Sequence, residues 1–128
     1  MNRDIKFRAW DEVSEKMLNW NEFLDTNMKN TFIAPESTGL ILMQYTGLHD
    51  KNGKEIYDGD IITCKQYIGG NFVDYHLEKG FVEFKDGEFG VHREQGYYLS
   101  IKKLLEYNYK IEVIGNIYDN PGLLEGER

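Results

Sequence analysis

Cysteine, proline and histidine are scarce in this chain, and their scarcity excludes several classes of protein. The 128 residues include one Cys, two Pro and three His. A single cysteine, Cys64, excludes an intrachain disulfide and a zinc site built from several thiolates. Cys64 directly follows an apolar strand pattern, so we expect a buried, unreactive thiol. His49, His76 and His92 lack a second His or Cys at ligand spacing, so we predict three separate surface or edge histidines and no metal site.

Long apolar runs and excess positive charge are also missing. No apolar run approaches the roughly 20 residues of a membrane span, and the N-terminus has no apolar signal-peptide region. We therefore predict a cytoplasmic protein with no membrane partner. Fifteen Lys and Arg against 22 Asp and Glu give a net charge of −7. This balance disfavours nucleic acid as a partner, although it leaves room for a local basic patch.

Aromatic residues and glycine are abundant. Nine Tyr, seven Phe and two Trp accompany 13 Gly. Aromatic side chains favour strands and glycine favours tight turns, so this composition predicts many short strands and a mainly β fold. The length suits a single domain spanning residues 1–128.

The stretch from Leu42 to Thr63 predicts two tight turns between strands. Asn52 and Gly53 suit the positive φ angles of a hairpin turn, and residues 55–57 form a short strand after it. A second turn at residues 58–60 precedes the β-branched pair Ile61 and Ile62. A Gly-Asp turn leading into such a strand is typical of small SH3-like barrels. We therefore predict an SH3-like barrel core from about residue 40 to residue 91.

The N-terminal segment predicts a β-hairpin that extends this core. Apolar residues alternate with polar ones from Asp4 to Trp10, and Met17, Leu18 and Trp20 suit the returning strand. This hairpin would bring Trp10 and Trp20 close together. Residues 21–39 fit neither a strand period nor a helix period, so we predict a loop or broken strand there. Such an excursion from the core is suited to partner binding.

The remainder predicts further strands and one short helix. Ser100 suits the N-cap of a two-turn helix over residues 101–106. Gly115 lies within the closing strand and predicts a bulge or a close approach. The last six residues are predicted to be a tail. The other predicted strands are residues 40–45, 61–67, 72–77, 81–84, 88–91, 97–99 and 110–118, with a Gly-Gly turn at residues 69–71.

Several of these segments together resemble the YopX family of phage and prophage proteins. The matching segments are Ile5–Trp10, Met43–Leu48 with Asp50, Asn52 and Gly53, Ile56–Ile61, and Glu112–Tyr118 with Asn120 and Pro121. They are spread over nearly the whole chain. The resemblance implies a mainly β protein that is encoded by a phage or prophage and works in the bacterial cytoplasm. It implies no catalytic residues, because the family has no established activity.

Five residues are candidates for a binding site: Trp10, Tyr45, Asp50, Asp58 and Asp60. The three aspartates lie within eleven positions, and carboxylate oxygens are the ligands that hard cations prefer. Turn capping explains each aspartate without a metal, however, so we predict neither metal nor cofactor. Nucleophile-elbow, P-loop and dinucleotide motifs are absent, so we predict no catalytic residue and no enzymatic activity.

The sequence leaves three functions open. We rank first a non-enzymatic phage or prophage accessory protein that binds a host or phage protein or assembles with itself. The alternative is a small β-barrel module that binds nucleic acid, with aromatic residues stacking bases beside lysines. The residues that suggest it are Tyr97, Tyr98, Tyr107, Tyr109, Tyr118, Lys102, Lys103 and Lys110. An acidic inhibitor that mimics nucleic acid ranks third, because the acidic residues are widely spread.

Overall fold

Ten short strands and four short α-helices make up the part of the chain that the computed structural model describes, residues 4–68, 71–73, 79–93, 98–106 and 109–125. The strands are β1 Phe7–Asp11, β2 Lys16–Leu18, β3 Leu40–His49, β4 Glu55–Tyr57, β5 Asp60–Ile68, β6 Asn71–Val73, β7 Gly80–Lys85, β8 Glu88–Arg93, β9 Tyr98–Ser100 and β10 Tyr109–Asn116. The helices are α1 Trp20–Leu24, α2 Met28–Ile33, α3 Ile101–Glu106 and α4 Gly122–Glu125, with a 3₁₀ helix at Pro35–Ser37.

The first sheet has the strand order β2-β1-β3-β4, with every neighbouring pair antiparallel. The predicted N-terminal hairpin is therefore confirmed for β1 and β2. Side chains alternate along β1, as its sequence indicates, so Phe7 and Ala9 share one face of the sheet. They pack there against Phe23 of α1 and Leu40 of β3. Arg8 and Trp10 lie on the opposite face.

The second sheet has the order β10-β5-β7-β8-β9, and β6 pairs with the end of β5. From β9 the chain passes through α3 to β10, which returns to the far edge of the sheet beside β5. This order is compatible with the predicted SH3-like barrel. Within the bounds predicted for that barrel, β3 and β4 belong to the first sheet, and β10, which lies outside those bounds, pairs with β5 in the second.

One apolar core links the two sheets. It contains Ile56 of β4 and the buried side chains of the second sheet and α3, which are Ile62, Cys64, Val82, Val91, Ile101, Leu104, Ile111 and Val113. Ile56 is fully buried although its strand pairs with β3 of the first sheet. The predicted burial of the single thiol is confirmed.

Residues 21–39, predicted as a loop or broken strand, contain two α-helices and a 3₁₀ helix. The prediction was wrong because both α-helices are too short to show an apolar period. Their capping residues do carry a signal. Asn19 accepts a hydrogen bond from the Glu22 backbone N–H, and the Glu22 carboxylate accepts one from the Asn19 N–H, which completes a capping box. Asn27 caps α2 through the N–H of Asn30.

The two tryptophans do not form the predicted pair. Trp20 begins α1 and packs near Phe7 and Phe23, with ring centroids 6.2 and 6.3 Å away. Trp10 projects from the other face of β1 and stacks on Tyr118, with ring centroids 5.6 Å apart. Trp20 packs on the face of β1 that carries Phe7. Phe7 and Trp10 are an odd number of positions apart, so their side chains point to opposite faces of the sheet and the two tryptophans are separated.

The predicted turns are confirmed where the structure describes them. Gly53, between β3 and β4, and Gly59, between β4 and β5, have φ angles of +83° and +89°. Asp86 and Gly87 also have positive φ angles, as a two-residue type I′ hairpin requires. The predicted Gly-Gly turn at 69–70, the strand continuation at 74–77 and the strand start at Tyr97 lie outside the described residues.

The C-terminal predictions hold except at the very end. Helix α3 has the predicted bounds, and the pairing of β10 with β5 shifts register between Val113 and Gly115. A Cβ on Gly115 would lie 2.6 Å from the Asn120 side-chain oxygen, so the close approach is confirmed as well. The predicted tail is wrong in part, because it includes most of α4.

Candidate functional site

A buried ion pair lies on the face of the first sheet that is turned away from α1. Arg8 Nη2 donates to Asp60 Oδ1 over 2.7 Å, and the two side chains are 12% and 2% exposed. The other carboxylate oxygen of Asp60 accepts the backbone N–H of Tyr57 over 2.7 Å. The Arg8 guanidinium also lies 4.8 Å from the centroid of the Tyr57 ring. Burial raises the pKa of Asp60, and the Arg8 charge and these hydrogen bonds oppose the rise. We call Arg8, Tyr57, Asp58 and Asp60 the Arg8 cluster.

Asp58 adds a second carboxylate to the Arg8 cluster. Burial raises the pKa of Asp58 to about 6, and Arg8 opposes the rise while Glu83 and Asp60 add to it. Asp58 also adds to the raised pKa of Tyr118, the residue on which Trp10 stacks; burial is the larger cause there. Three of the five predicted site residues, Trp10, Asp58 and Asp60, therefore lie in one region of the molecule.

Tyr45 lies beside the Arg8 cluster. Its ring centroid is 5.5 Å from that of Tyr57 and 5.9 Å from that of His49. The Lys6 ammonium lies 5.5 Å from the Tyr45 ring centroid and pairs with Glu55 over 2.6 Å. Burial raises the pKa of Tyr45, and the nearby Glu55 carboxylate adds to the rise. Tyr45 is therefore a buried side chain packed between two aromatic neighbours and next to the Lys6–Glu55 ion pair.

Asp50 lies apart from the other four residues and joins the two sheets. Its Oδ1 accepts the N–H groups of Asn52 and Lys54 over 2.8 and 2.9 Å, and its Oδ2 accepts the N–H of Val113 in β10 over 3.0 Å. Burial alone would raise the pKa of Asp50, but these three backbone N–H groups lower it below its ordinary value. The carboxylate is thus held in place by three backbone N–H groups from two parts of the chain.

The three aspartates do not form a cation site. Asp50 and Asp60 direct their oxygens at backbone N–H groups and at Arg8. Throughout the ranges that the structure describes, no three Asp, Glu, His or Cys side chains come together to hold a metal ion. His92 contacts the Glu83 carboxylate over 3.2 Å, and His76 lies outside the described residues. No helix of the described segments is long and apolar enough to cross a membrane.

Apolar side chains are exposed on α1 and α2, a surface that the sequence located only as an excursion. Leu24, Phe32 and Ile33 are 44%, 48% and 72% exposed, and we call these three residues the helical surface. Beside it lies an open groove of about 590 Å³, lined by Phe32, by the 3₁₀ helix and by the start of β3. Glu12 and Glu36 also line this groove. The sequence indicated this surface only through apolar residues that follow neither the strand period nor the helix period.

A basic patch lies on the outer face of the second sheet. Lys65 of β5 is directly opposite Lys110 of β10, and Thr63 is opposite Glu112. These four residues and Lys51 line a small cavity of about 80 Å³. Lys51 pairs with Glu112 over 3.5 Å. Of the lysines that the sequence suggested for a basic patch, Lys110 lies here.

The fold and these sites define a mainly β protein with two antiparallel sheets, joined by buried carboxylates and flanked by an apolar helical surface. The chain belongs to the YopX protein family, whose model matches residues 6–125. The resemblance read from the sequence is therefore confirmed.

Two solved structures share this fold. Protein EF1440 from Enterococcus faecalis is 26% identical over 96% of this chain and 99% of its own, with a TM-score of 0.59. Protein yopX from Bacillus subtilis is 23% identical over 93% of this chain and 97% of its own, with a TM-score of 0.57. None of the curated proteins compared with the chain matches it. The family model establishes the family and the two solved structures share the fold, and neither comparison assigns a specific function.

Proposed function

We propose that this protein is a phage or prophage accessory protein that works in the bacterial cytoplasm by binding another protein, without enzymatic activity. The observation that carries the proposal is the helical surface beside an acid-lined groove. Single exposed apolar residues are ordinary on soluble proteins, but several within one short segment that borders a groove are typical of an interaction site.

The packing of this segment supports a preformed surface. Phe32 meets the rings of Phe7 and Phe23 at centroid distances of 5.2 and 6.0 Å, so one side of its ring is anchored while the other is exposed. Such an anchored aromatic residue loses little conformational entropy on binding, as contact residues at interfaces generally do. The surface is therefore suited to binding without refolding.

The charges around the groove indicate the chemistry of the partner. Glu12 and Glu36 line it, and the whole chain carries a net charge of −7. A partner with apolar residues flanked by Lys or Arg matches both features, since complementary charge speeds association and selects among partners.

The test is a pull-down with the tagged full-length chain from nuclease-treated lysate of the bacterium that carries the gene, with and without induced phage. We expect one protein in stoichiometric amount from the wild-type chain and its loss with Ile33→Ser. Phe84→Ser is the matched control, because Phe84 is 55% exposed on the β7–β8 hairpin and outside the helical surface. Equal recovery by both variants would contradict the proposal.

A second copy of the chain is also an admissible partner, because unpaired strand edges invite pairing between copies. Light scattering during size-exclusion chromatography measures the mass in solution. A dimer that Ile33→Ser converts to a monomer would identify the helical surface as a self-assembly site.

Binding of nucleic acid is the second candidate function, and the basic patch favours it. Two like charges placed directly opposite on neighbouring strands destabilise a sheet unless an anion neutralises them. A phosphodiester backbone would supply that anion. Fluorescence anisotropy with a labelled single-stranded oligonucleotide at low salt tests this. Binding that is lost with Lys65→Gln and Lys110→Gln together would support it, and no binding at low salt would exclude it.

A further inference from the structure

Within the residues that the structure describes, the first half of β3 has a neighbouring strand on only one of its two edges. On one side, Leu40 to Gln44 pair with β1. On the other side, β4 pairs with β3 at Tyr45 and His49, beyond that segment. Directly after β4, Asp58 donates its N–H to the Gln44 carbonyl, and the chain then turns away from β3. The edge from Leu40 to Met43 is therefore open in the described structure.

The register shows which backbone groups face the open edge. Tyr45 donates its N–H to the Lys6 carbonyl over 2.9 Å, so Tyr45 makes its backbone hydrogen bonds toward the β1 side. In an antiparallel ladder these directions alternate, so Met43 and Ile41 also face β1 while Leu42 faces away. The N–H of Leu40, two positions from Leu42, is directed at Thr38 Oγ1 over 3.4 Å, as this alternation requires. Leu42 thus presents one donor and one acceptor at the open edge.

The acid-lined groove follows this edge. Four consecutive residues, Gly39 to Leu42, line it. Successive side chains of a strand point to opposite faces, so a groove that contacts consecutive residues runs along the backbone edge and not over one face. Phe32 and Pro35 line the same groove and supply apolar wall residues. The groove therefore combines backbone hydrogen-bonding groups, an apolar wall and two carboxylates.

We infer that this groove binds an extended segment of a partner protein, which adds as a strand to β3 at Leu42. An added strand gains affinity from main-chain hydrogen bonds and specificity from pockets for alternate side chains. The segment would place an apolar side chain against Phe32 and Pro35 and a Lys or Arg beside Glu12 or Glu36. This inference rests on the proposed function and specifies how the partner is recognised.

The probe is a displayed library of random 12-residue peptides selected on the immobilised full-length chain, followed by synthesis of the enriched peptides. We expect alternating apolar residues with at least one Lys or Arg. Amide exchange measured by NMR should slow at Leu42 when such a peptide binds. N-methylation of the peptide nitrogen that bonds the Leu42 carbonyl should weaken affinity about tenfold, the value of one net hydrogen bond.

Protein variants complete the test. Glu36→Gln should weaken binding and reduce its salt dependence, whereas Glu88→Gln at the start of β8, which does not line the groove, should change neither. Peptides that bind while exchange at Leu42 stays unchanged would overturn the inference, as would a library that yields no enrichment over an unrelated acidic protein. In either case, a lysate protein that the wild-type chain recovers and Ile33→Ser does not would leave the proposed function standing.

Discussion

Two aspartates two positions apart have different roles because their surroundings differ. Asp60 is 2% exposed at its side chain and is paired with Arg8, so its charge is compensated where it is buried. Removing one partner of such a pair leaves an unpaired buried charge, which costs several kcal/mol in typical proteins. Burial raises the pKa of Asp58, and the carboxylates of Glu83 and Asp60 add to the rise while Arg8 opposes it. Ionisation of Asp58 is therefore less favourable in the folded protein than in the unfolded chain.

The first prediction concerns the pH dependence of stability at Asp58. The pKa of Asp58 is about 6 in the folded protein, above its ordinary value of 3.8. A raised carboxyl pKa means that the folded state binds a proton more tightly than the unfolded state does, so this group lowers stability as pH rises from about 4 to about 6. Asp58→Asn removes the ionisation, and we expect a gain of about 1 kcal/mol near neutral pH, since solvent screening reduces the full linkage value.

Urea unfolding at several pH values measures this effect. The difference between Asp58→Asn and the wild type should grow between about pH 4 and about pH 6 and then level off. Parallel stability curves for Asp58→Asn and the wild type would contradict the prediction.

At the scale of elements, the Tyr57–Asp60 turn differs from the other glycine turns because three segments pack onto it. Gly59 donates its N–H to the Val82 carbonyl over 2.7 Å and accepts the N–H of Ile117 over 2.9 Å. A Cβ at Gly59 would lie 2.9 Å from the sulfur of Met43, a side chain that is 3% exposed. This turn therefore requires glycine for both conformation and space.

The second prediction compares Gly59→Ala with Gly53→Ala. Both positions have positive φ angles, but a Cβ at Gly53 meets nothing within 4 Å. We expect Gly53→Ala to cost about 1 kcal/mol through backbone strain alone. Gly59→Ala should cost about 2–4 kcal/mol, because overpacking adds to the same strain. Denaturant unfolding measures both losses in the free energy of unfolding. Equal losses for the two variants would show that the Met43 side chain moves aside without cost.

The short helices show why element type was harder to predict than element position. Asn19 with Glu22 is a capping box that is legible in the sequence, and Asn27 is a plain N-cap. Helices of five and six residues are too short to display an apolar stripe and depend on tertiary packing for stability. Phe23 of α1, which is fully buried against the first sheet, supplies such packing.

At the scale of the whole molecule, Asp50 connects two parts of the chain that are 63 residues apart in sequence. Its carboxylate holds the β3–β4 turn and also accepts the Val113 N–H, and the Lys51 N–H donates to the Ile111 carbonyl nearby. The core adds to this connection through Ile56. We therefore expect the two sheets to unfold together as one cooperative unit.

The third prediction tests that connection with Asp50→Ala. The change leaves three backbone N–H groups without their acceptor, and we expect a loss of about 2–4 kcal/mol in the free energy of unfolding. Asp11→Ala is the matched control. Asp11 also accepts backbone N–H groups, but only from Val13 and Ser14 in its own turn, so its loss should be smaller.

The pH dependence gives an independent check of the same residue. Because backbone hydrogen bonds lower the folded pKa of Asp50 below the ordinary 3.8, its contribution to stability is present above that value and disappears as pH falls through the folded pKa. Asp50→Ala should therefore lose less stability than the wild type when the protein is acidified below about pH 4. An identical acid dependence would show that these hydrogen bonds do not favour the charged form of Asp50 in the folded protein.

Local features of this protein could be predicted from the amino-acid sequence: the family, the mainly β class, the tight turns at Gly53, Gly59 and Gly87, and the bounds of α3. These features depend on neighbouring residues, whose φ preferences, capping groups and side-chain periods act over a few positions. The folded structure was needed to show which strands share a sheet, that Arg8 pairs with Asp60, and that Asp50 accepts the N–H of Val113. Those partners lie about 50 to 63 positions apart, and no local preference specifies such a pairing. The open edge of β3 belongs to the same group, because it depends on where β4 leaves its neighbour.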